Sequence, residues 1–207
     1  MKILSLVVVV MLSLSLMACN NRSKSVKETE AENSQTVLVP TDTINLSALF
    51  IPSGYMGDGE SGKKYIKYIG ACTETPFSLP TCIKIQYIPG TVGWGGFYWQ
   101  NKANNWGDKQ AENYSAKKYT TIRFYAKGQN GGETIEFKSG GIDAGKKFKD
   151  SYEKSIGKIT LEKGWKEYKI NLKGLDLSSV IGGFCWVATS ADNPTGATFF
   201  LDDIIMY

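Results

Sequence analysis

Thr121-Ile122-Arg123-Phe124-Tyr125-Ala126-Lys127-Gly128 alternates without a break. Successive side chains of an extended chain point to opposite faces. Ile122, Phe124 and Ala126 therefore share one side, and Arg123, Tyr125 and Lys127 share the other. An apolar side and a polar, aromatic side describe a strand of a sheet with one face buried. The same period recurs nearby. In Thr134-Ile135-Glu136-Phe137-Lys138, Ile135 and Phe137 turn inward while Glu136 and Lys138 turn outward. In residues 94–100, Trp94, Tyr98 and Gln100 oppose Phe97 and Trp99. Candidate strands cover residues 43–50, 64–69, 82–88, 94–100, 120–127, 133–138, 156–161, 165–172, 180–188 and 197–206. Turn-forming Gly, Asn, Asp and Pro separate them, and no sustained 3.6-residue period appears after the first eighteen residues. This pattern predicts an all-β fold, an antiparallel β-sandwich or barrel. A helical turn is expected at residues 175–179.

The first eighteen residues read as an export signal. Lys2 opens the chain, and residues 3–18 are apolar except for Ser5, Ser13 and Ser15. That is about sixteen residues, short of the ~20 that a spanning helix needs. The segment ends in Leu16-Met17-Ala18-Cys19, which resembles the lipobox of bacterial lipoproteins. The resemblance implies cleavage before Cys19, lipidation there with acyl chains such as palmitate, and attachment to a membrane through that lipid. Asn20 stands where an aspartate retains such proteins at the inner membrane, so the outer membrane is implied instead. The alternative is an ordinary secretory signal with a chance cysteine. Residues 19–36 read as a polar tether with too few apolar groups to fold. The β-sandwich domain is expected over residues 37–207.

Composition narrows the chemistry. The formal charge is only +4 and lysines alternate with acids, without the basic stripe that tracks phosphates. Nucleic acid is not an expected partner. The chain has no histidine, which excludes Ser-His-Asp and Cys-His nucleophile systems and histidine metal sites. Hydrolysis by two carboxylates passes this filter. Of four cysteines, Cys72 and Cys82 bracket a short loop with Pro76 and Pro80. In an oxidising compartment they are expected to form a disulfide, the alternative being two reduced thiols. Cys185 lies in an apolar run and is expected as a buried thiol.

Residues 93–108 hold three of the five tryptophans, four amide side chains and Asp108. Flat aromatic faces with directed amide and acid hydrogen bonds suit a polyhydroxylated ligand. Candidate ligand-binding residues are Trp94, Tyr98, Gln100, Asn104, Asn105, Trp106, Arg123, Tyr125 and Glu136. If their strands are neighbours, Tyr98, Gln100, Arg123, Tyr125, Glu136 and Lys138 share one outer face. That face reads either as a sugar platform or as a solvated surface of weak ion pairs. Trp165, which begins a strand after Gly164, is expected in the core or as a hairpin anchor, and Trp186 is expected to be buried.

The ordered set Thr121–Gly128, Gly131-Gly-Glu-Thr-Ile-Glu-Phe137, Gly164-Trp-Lys-Glu-Tyr-Lys-Ile-Asn-Leu172 and Phe199-Phe-Leu-Asp-Asp-Ile-Ile205 resembles the jelly-roll carbohydrate-binding modules of the galactose-binding-domain-like superfamily. The resemblance implies a non-catalytic protein whose partner is a glycan. It also implies a structural calcium held by Asp202, with Asp58 or Glu60 as co-ligands; edge carboxylates without metal are the alternative. Two other classes stay open. One is a small glycan hydrolase using two carboxylates, and the other is an envelope lipoprotein that binds another protein.

Overall fold

The computed structural model describes residues 42–61 and 64–207. The signal at 1–18, the tether at 19–36, Cys19 and the expected domain start at 37 lie outside the described residues. The elements are β1 (Ile44–Asn45), α1 (Leu46–Leu49), β2 (Ile51–Gly57), a 3-10 turn (Asp58–Ser61), β3 (Ile66–Cys72), β4 (Cys82–Tyr87), β5 (Trp94–Gln100), β6 (Thr121–Gly128), β7 (Thr134–Gly140), β8 (Glu153–Thr160), β9 (Lys166–Asn171), β10 (Gly182–Thr189) and β11 (Ala197–Met206). They form two antiparallel sheets, as the alternation predicts. The first sheet runs β3-β4-β11-β6-β9, with β1 beside the end of β11; the second runs β2-β5-β10-β7-β8.

The inward side chains meet as a layer of interlocked rings. Ile122, Phe124 and Ala126 are buried from β6, Ile135 and Phe137 from β7, and Phe97 and Trp99 from β5. Phe124 lies 4.8 Å from Phe137 and 5.0 Å from Phe184. Trp99 meets Phe184 at 5.5 Å, and Trp186 meets Phe199 at 5.2 Å. Tilted and edge-on rings at such spacings add to the area term that drives burial.

Some local expectations fail. Residues 43–50 are not one strand. Asn45 caps a helical turn, accepting from the Ala48 N–H at 3.2 Å, and Leu46 turns into the core. The following strand β2 escapes pattern reading because it contains Pro52 and Gly54. It lies at a sheet edge, where a missing N–H is tolerated. Residues 175–179 form no helical turn; that stretch is irregular and is held by Tyr114 N–H donating to the Leu177 carbonyl. Trp165 is not in the main core. It packs on the outside of the first sheet with Cys72, Cys82 and Phe200, and its indole N–H donates to the Thr75 carbonyl at 2.9 Å.

Cys72 and Cys82 face each other in register across the β3–β4 pair. The disulfide expected between them is not formed; both are buried free thiols, as is Cys185. The Cys72 sulfur accepts from the Glu74 N–H, and the Cys82 thiol donates to the Glu74 carbonyl. Burial, and then the neighbouring Cys72, push the Cys82 thiol well above its ordinary value, which favours the protonated form.

Truncating the aromatic layer tests this arrangement. Phe124→Ala should lose about 3–5 kcal/mol of stability in urea unfolding, as buried Phe truncations do. Tyr125→Ala, one residue on but facing outward, should lose much less. Equal losses would contradict the assignment of faces.

Candidate functional site

The outer face of the second sheet carries Met56 from β2, Trp94 and Tyr98 from β5, Glu136 and Lys138 from β7, and Cys185 and Val187 from β10. Two loops, 101–110 and 141–149, fold over part of it. Phe148 N–H donates to the Gly107 carbonyl at 3.0 Å, and Lys146 pairs with Asp108 at 2.5 Å. Gly107 has φ +101, and a Cβ there would lie 2.4 Å from the Phe148 carbonyl oxygen, so only glycine lets the loops close. Buried Asp150 fastens the second loop by accepting from the N–H groups of Ile142, Ile181 and Gly182. Beneath the loops lies a small second core of Tyr98, Ile142, Ile181 and Cys185. The Tyr98 hydroxyl donates to the Gly140 carbonyl at 2.9 Å, and burial raises the phenol far above its usual range.

Where the loops stop, a cleft of about 450 Å³ opens between Trp94 and Trp106, with Met56, Val187, Glu136 and Lys138 as its other principal groups. Trp94 is 37% exposed. One indole face rests on Gly57, where a Cβ would meet ring atoms at 2.9 and 3.0 Å. Gly57 thus keeps the ring flat against the backbone. Trp106 stands edge-on to Tyr98 at 6.0 Å. Neither indole N–H has a hydrogen-bond partner among the described residues. Glu136 accepts from the Ser155 hydroxyl at 2.6 Å. Lys138 is paired with Glu153; burial works against its charge, but that partner outweighs it and raises the ammonium above its ordinary value. Asp143, at the rim, is held below the usual carboxylate range by Lys149 and the Gly145 N–H. It is therefore ionised and unsuited to donate a proton to a glycosidic oxygen.

Of the residues expected at the site, Trp94, Tyr98, Trp106 and Glu136 come together, with Tyr98 mostly beneath the loops. Gln100 and Asn105 do not reach the surface. Gln100 accepts from Ser53 and donates to the Asn105 carbonyl. Asn105 donates to Asn101 and Lys109 and accepts from the N–H groups of Gly107 and Lys109. These amides shape the loop that presents Trp106. Asn104 is an exposed turn residue with φ 52 and does not line the cleft. Arg123 and Tyr125 are on the opposite side of the molecule, because β6 belongs to the first sheet and β7 to the second. There Phe77 stacks on Tyr125 at 3.6 Å, and the Tyr125 hydroxyl donates to Glu167. Met56, Val187 and the supporting Gly57 were not singled out by sequence. Their only signal was membership of short apolar or Gly-rich runs.

No protein-family model and no curated protein sequence matches the chain. Solved structures do. A family 30 carbohydrate-binding module superposes with a TM-score of 0.55 at 15% identity, covering 80% of this chain and 98% of that one. A second family 30 structure gives 0.52 at 18% identity, covering 81% and 88%. A family 11 module of a cellulosomal cellulase of Clostridium thermocellum gives 0.53 at 14% identity, covering 80% and 92%. The fold is the jelly roll of carbohydrate-binding modules. At these identities the likeness concerns architecture.

The structure does not bring together Asp202 and Asp58, the acids from which the resemblance builds a calcium site. Asp202 accepts from the N–H groups of Phe77, Ser78 and Asp203 and from the Ser78 hydroxyl. Asp58 accepts from the N–H groups of Gly90 and Val92 and from Tyr87 OH. Burial raises the Asp58 carboxyl, but these donors outweigh it and hold it low. The two acids sit near opposite ends of β4, and protein donors hydrogen-bond to each. No cluster of three or more metal-binding side chains occurs among the described residues. Thermal midpoints with excess calcium and with chelator should therefore coincide. A calcium-dependent rise, which a native-state ligand must produce, would contradict this.

Proposed function

We propose that the protein is a lipid-anchored, non-catalytic carbohydrate-binding module of the bacterial envelope that holds a glycan in the Trp94–Trp106 cleft. The observation that carries the glycan reading is this pair of tryptophans, each with exposed ring surface and an unused N–H. They stand in a concavity that also offers carboxylate and ammonium groups. A sugar ring stacks its C–H face on an indole while its hydroxyls bond to Glu136, Lys138 and the indole N–H groups. The likeness to modules named for carbohydrate binding supports the same reading.

Stacking on an aromatic ring is worth ~1–3 kcal/mol per ring in nucleic-acid sites, a loose analogue. Trp94→Ala or Trp106→Ala should each weaken glycan binding about tenfold or more, with the circular dichroism spectrum unchanged. Tyr125→Ala, on the far face, should bind normally. The measurement is calorimetric titration with a ligand found on a glycan array. Normal affinity in both tryptophan variants would place the site elsewhere.

The anchoring rests on Leu16-Met17-Ala18-Cys19, and an outer-membrane position on Asn20. Several acyl chains, each CH₂ stabilising attachment by about 0.8 kcal/mol, hold a protein firmly to a bilayer. Cys19→Ala should shift the protein from the membrane to the soluble fraction or stall its maturation. Unchanged fractionation with an unlipidated mature terminus argues against the anchor.

A further inference from the structure

The cleft is walled at one end only. β10 pairs antiparallel with both β5 and β7, and its Cys185 is the partner of Tyr98 on one side and of Lys138 on the other. β5 and β7 therefore run the same way and are level with each other. Their last residues, Gln100 and Gly140, lie at one end of the second sheet, so loops 101–110 and 141–149 both rise from that end. Apart from strand residues, everything that lines the cleft comes from these two loops: Trp106, Gly141, Ile142, Asp143 and Ala144. No lining residue comes from the turns before Trp94 or after Thr189.

The loops meet backbone to backbone at Gly107 and Phe148. Beneath them Tyr98, Ile142, Ile181 and Cys185 are packed together, so the wall stands on filled space. The two rings set a direction across the floor. Trp94 begins β5, and Trp106 stands edge-on to Tyr98, four residues further along that strand. That separation is about 13 Å at a strand's rise per residue. The path from ring to ring thus follows the strand and ends on the wall. Gly96 lies midway and has no side chain. Met56 Cε lies 2.7 Å and Val187 Cγ2 3.3 Å from where its Cβ would be, so these two side chains close over it as an apolar floor.

We propose that the cleft takes the end of a linear glycan chain and not an internal stretch of one. The proposal rests on the glycan reading above and adds the form of the ligand. The terminal sugar abuts the loop wall beside Trp106, and the rest of the chain leaves past Trp94. An internal stretch would have to continue beyond Trp106, where the joined loops stand. The volume of about 450 Å³ is in the lower half of the range for ligand pockets, which suits a short terminal segment. Lys138 is paired with Glu153, and Asp143 with Lys149. That leaves Glu136, bonded to the Ser155 hydroxyl, as the carboxylate of the cleft outside any ion pair among the described residues. An uncharged chain therefore fits better than a polyuronate.

The test uses the full chain with soluble linear glucan, mannan, xylan and galactan, each as long chains and after partial acid hydrolysis to several-fold shorter ones. Calorimetric titration gives the number of binding sites per gram of polysaccharide. Sites per gram should rise several-fold on hydrolysis, in proportion to the number of chain ends, with the affinity per site unchanged. Trp106→Ala should weaken binding to both forms about tenfold or more. Constant sites per gram, with binding still weakened in Trp94→Ala and Trp106→Ala, would mean that internal stretches are bound. That result overturns the chain-end inference and leaves the cleft as the glycan site. Binding that survives both tryptophan substitutions, or no binding to any of the four polysaccharides in either form, overturns the glycan site and the chain-end inference together.

Discussion

A strand has two faces, and the aromatic layer between the sheets claims one of them throughout this protein. Phe97 and Trp99, Phe124, Phe137, Phe184 and Trp186, and Phe199 occupy inward positions on five strands. A slip of one residue on any strand would put polar groups into that layer and rings into water. The core therefore fixes the register, and the register fixes what the outside presents. Trp94 and Glu136 face the cleft because Phe97 and Phe137 cannot face it.

The same rule explains what could be read from sequence and what could not. Inward and outward positions of β5, β6 and β7 are legible, since alternation is local. Sheet membership is not. β6 and β7 follow one another closely in the chain, yet one belongs to each sheet, so two outward faces that read as one are on opposite sides. Of the expected site, this removes Arg123 and Tyr125. Gln100 fails for a different reason. It does face outward from β5, but the 101–110 loop folds back over it, and a loop's path depends on contacts distant in sequence. An amide suits a sugar, which makes Asn105 a candidate ligand group on sequence grounds. Its four hydrogen-bonding positions are instead spent on its own loop, the commoner use of an asparagine in a turn.

The cleft results from partial covering. An outer sheet face left open would be flat and would hold a small ligand poorly. Here the two loops cover the end of β5 that carries Tyr98 and Gln100, and build a second layer over Tyr98 and Cys185. They leave the Trp94 end open, and their edge supplies Trp106. Two glycines act in opposite ways in this construction. Gly107 permits backbone to approach backbone so that the wall can close, and Gly57 permits an indole to lie flat on backbone so that a ring stays presented. Neither role leaves a trace in composition, because the partner atoms come from residues far away in the chain.

Strand direction links the cleft to the chain's point of entry. β11 runs from Ala197, opposite Tyr87, to Met206, opposite Ile44. It thus joins the end holding Asp58 and Gly90 to the end holding β1. The loop wall stands over the second of these ends, and the open side of the cleft looks towards the first. A ligand longer than the cleft is stopped by the 101–110 and 141–149 loops on one side and can extend past Trp94 on the other.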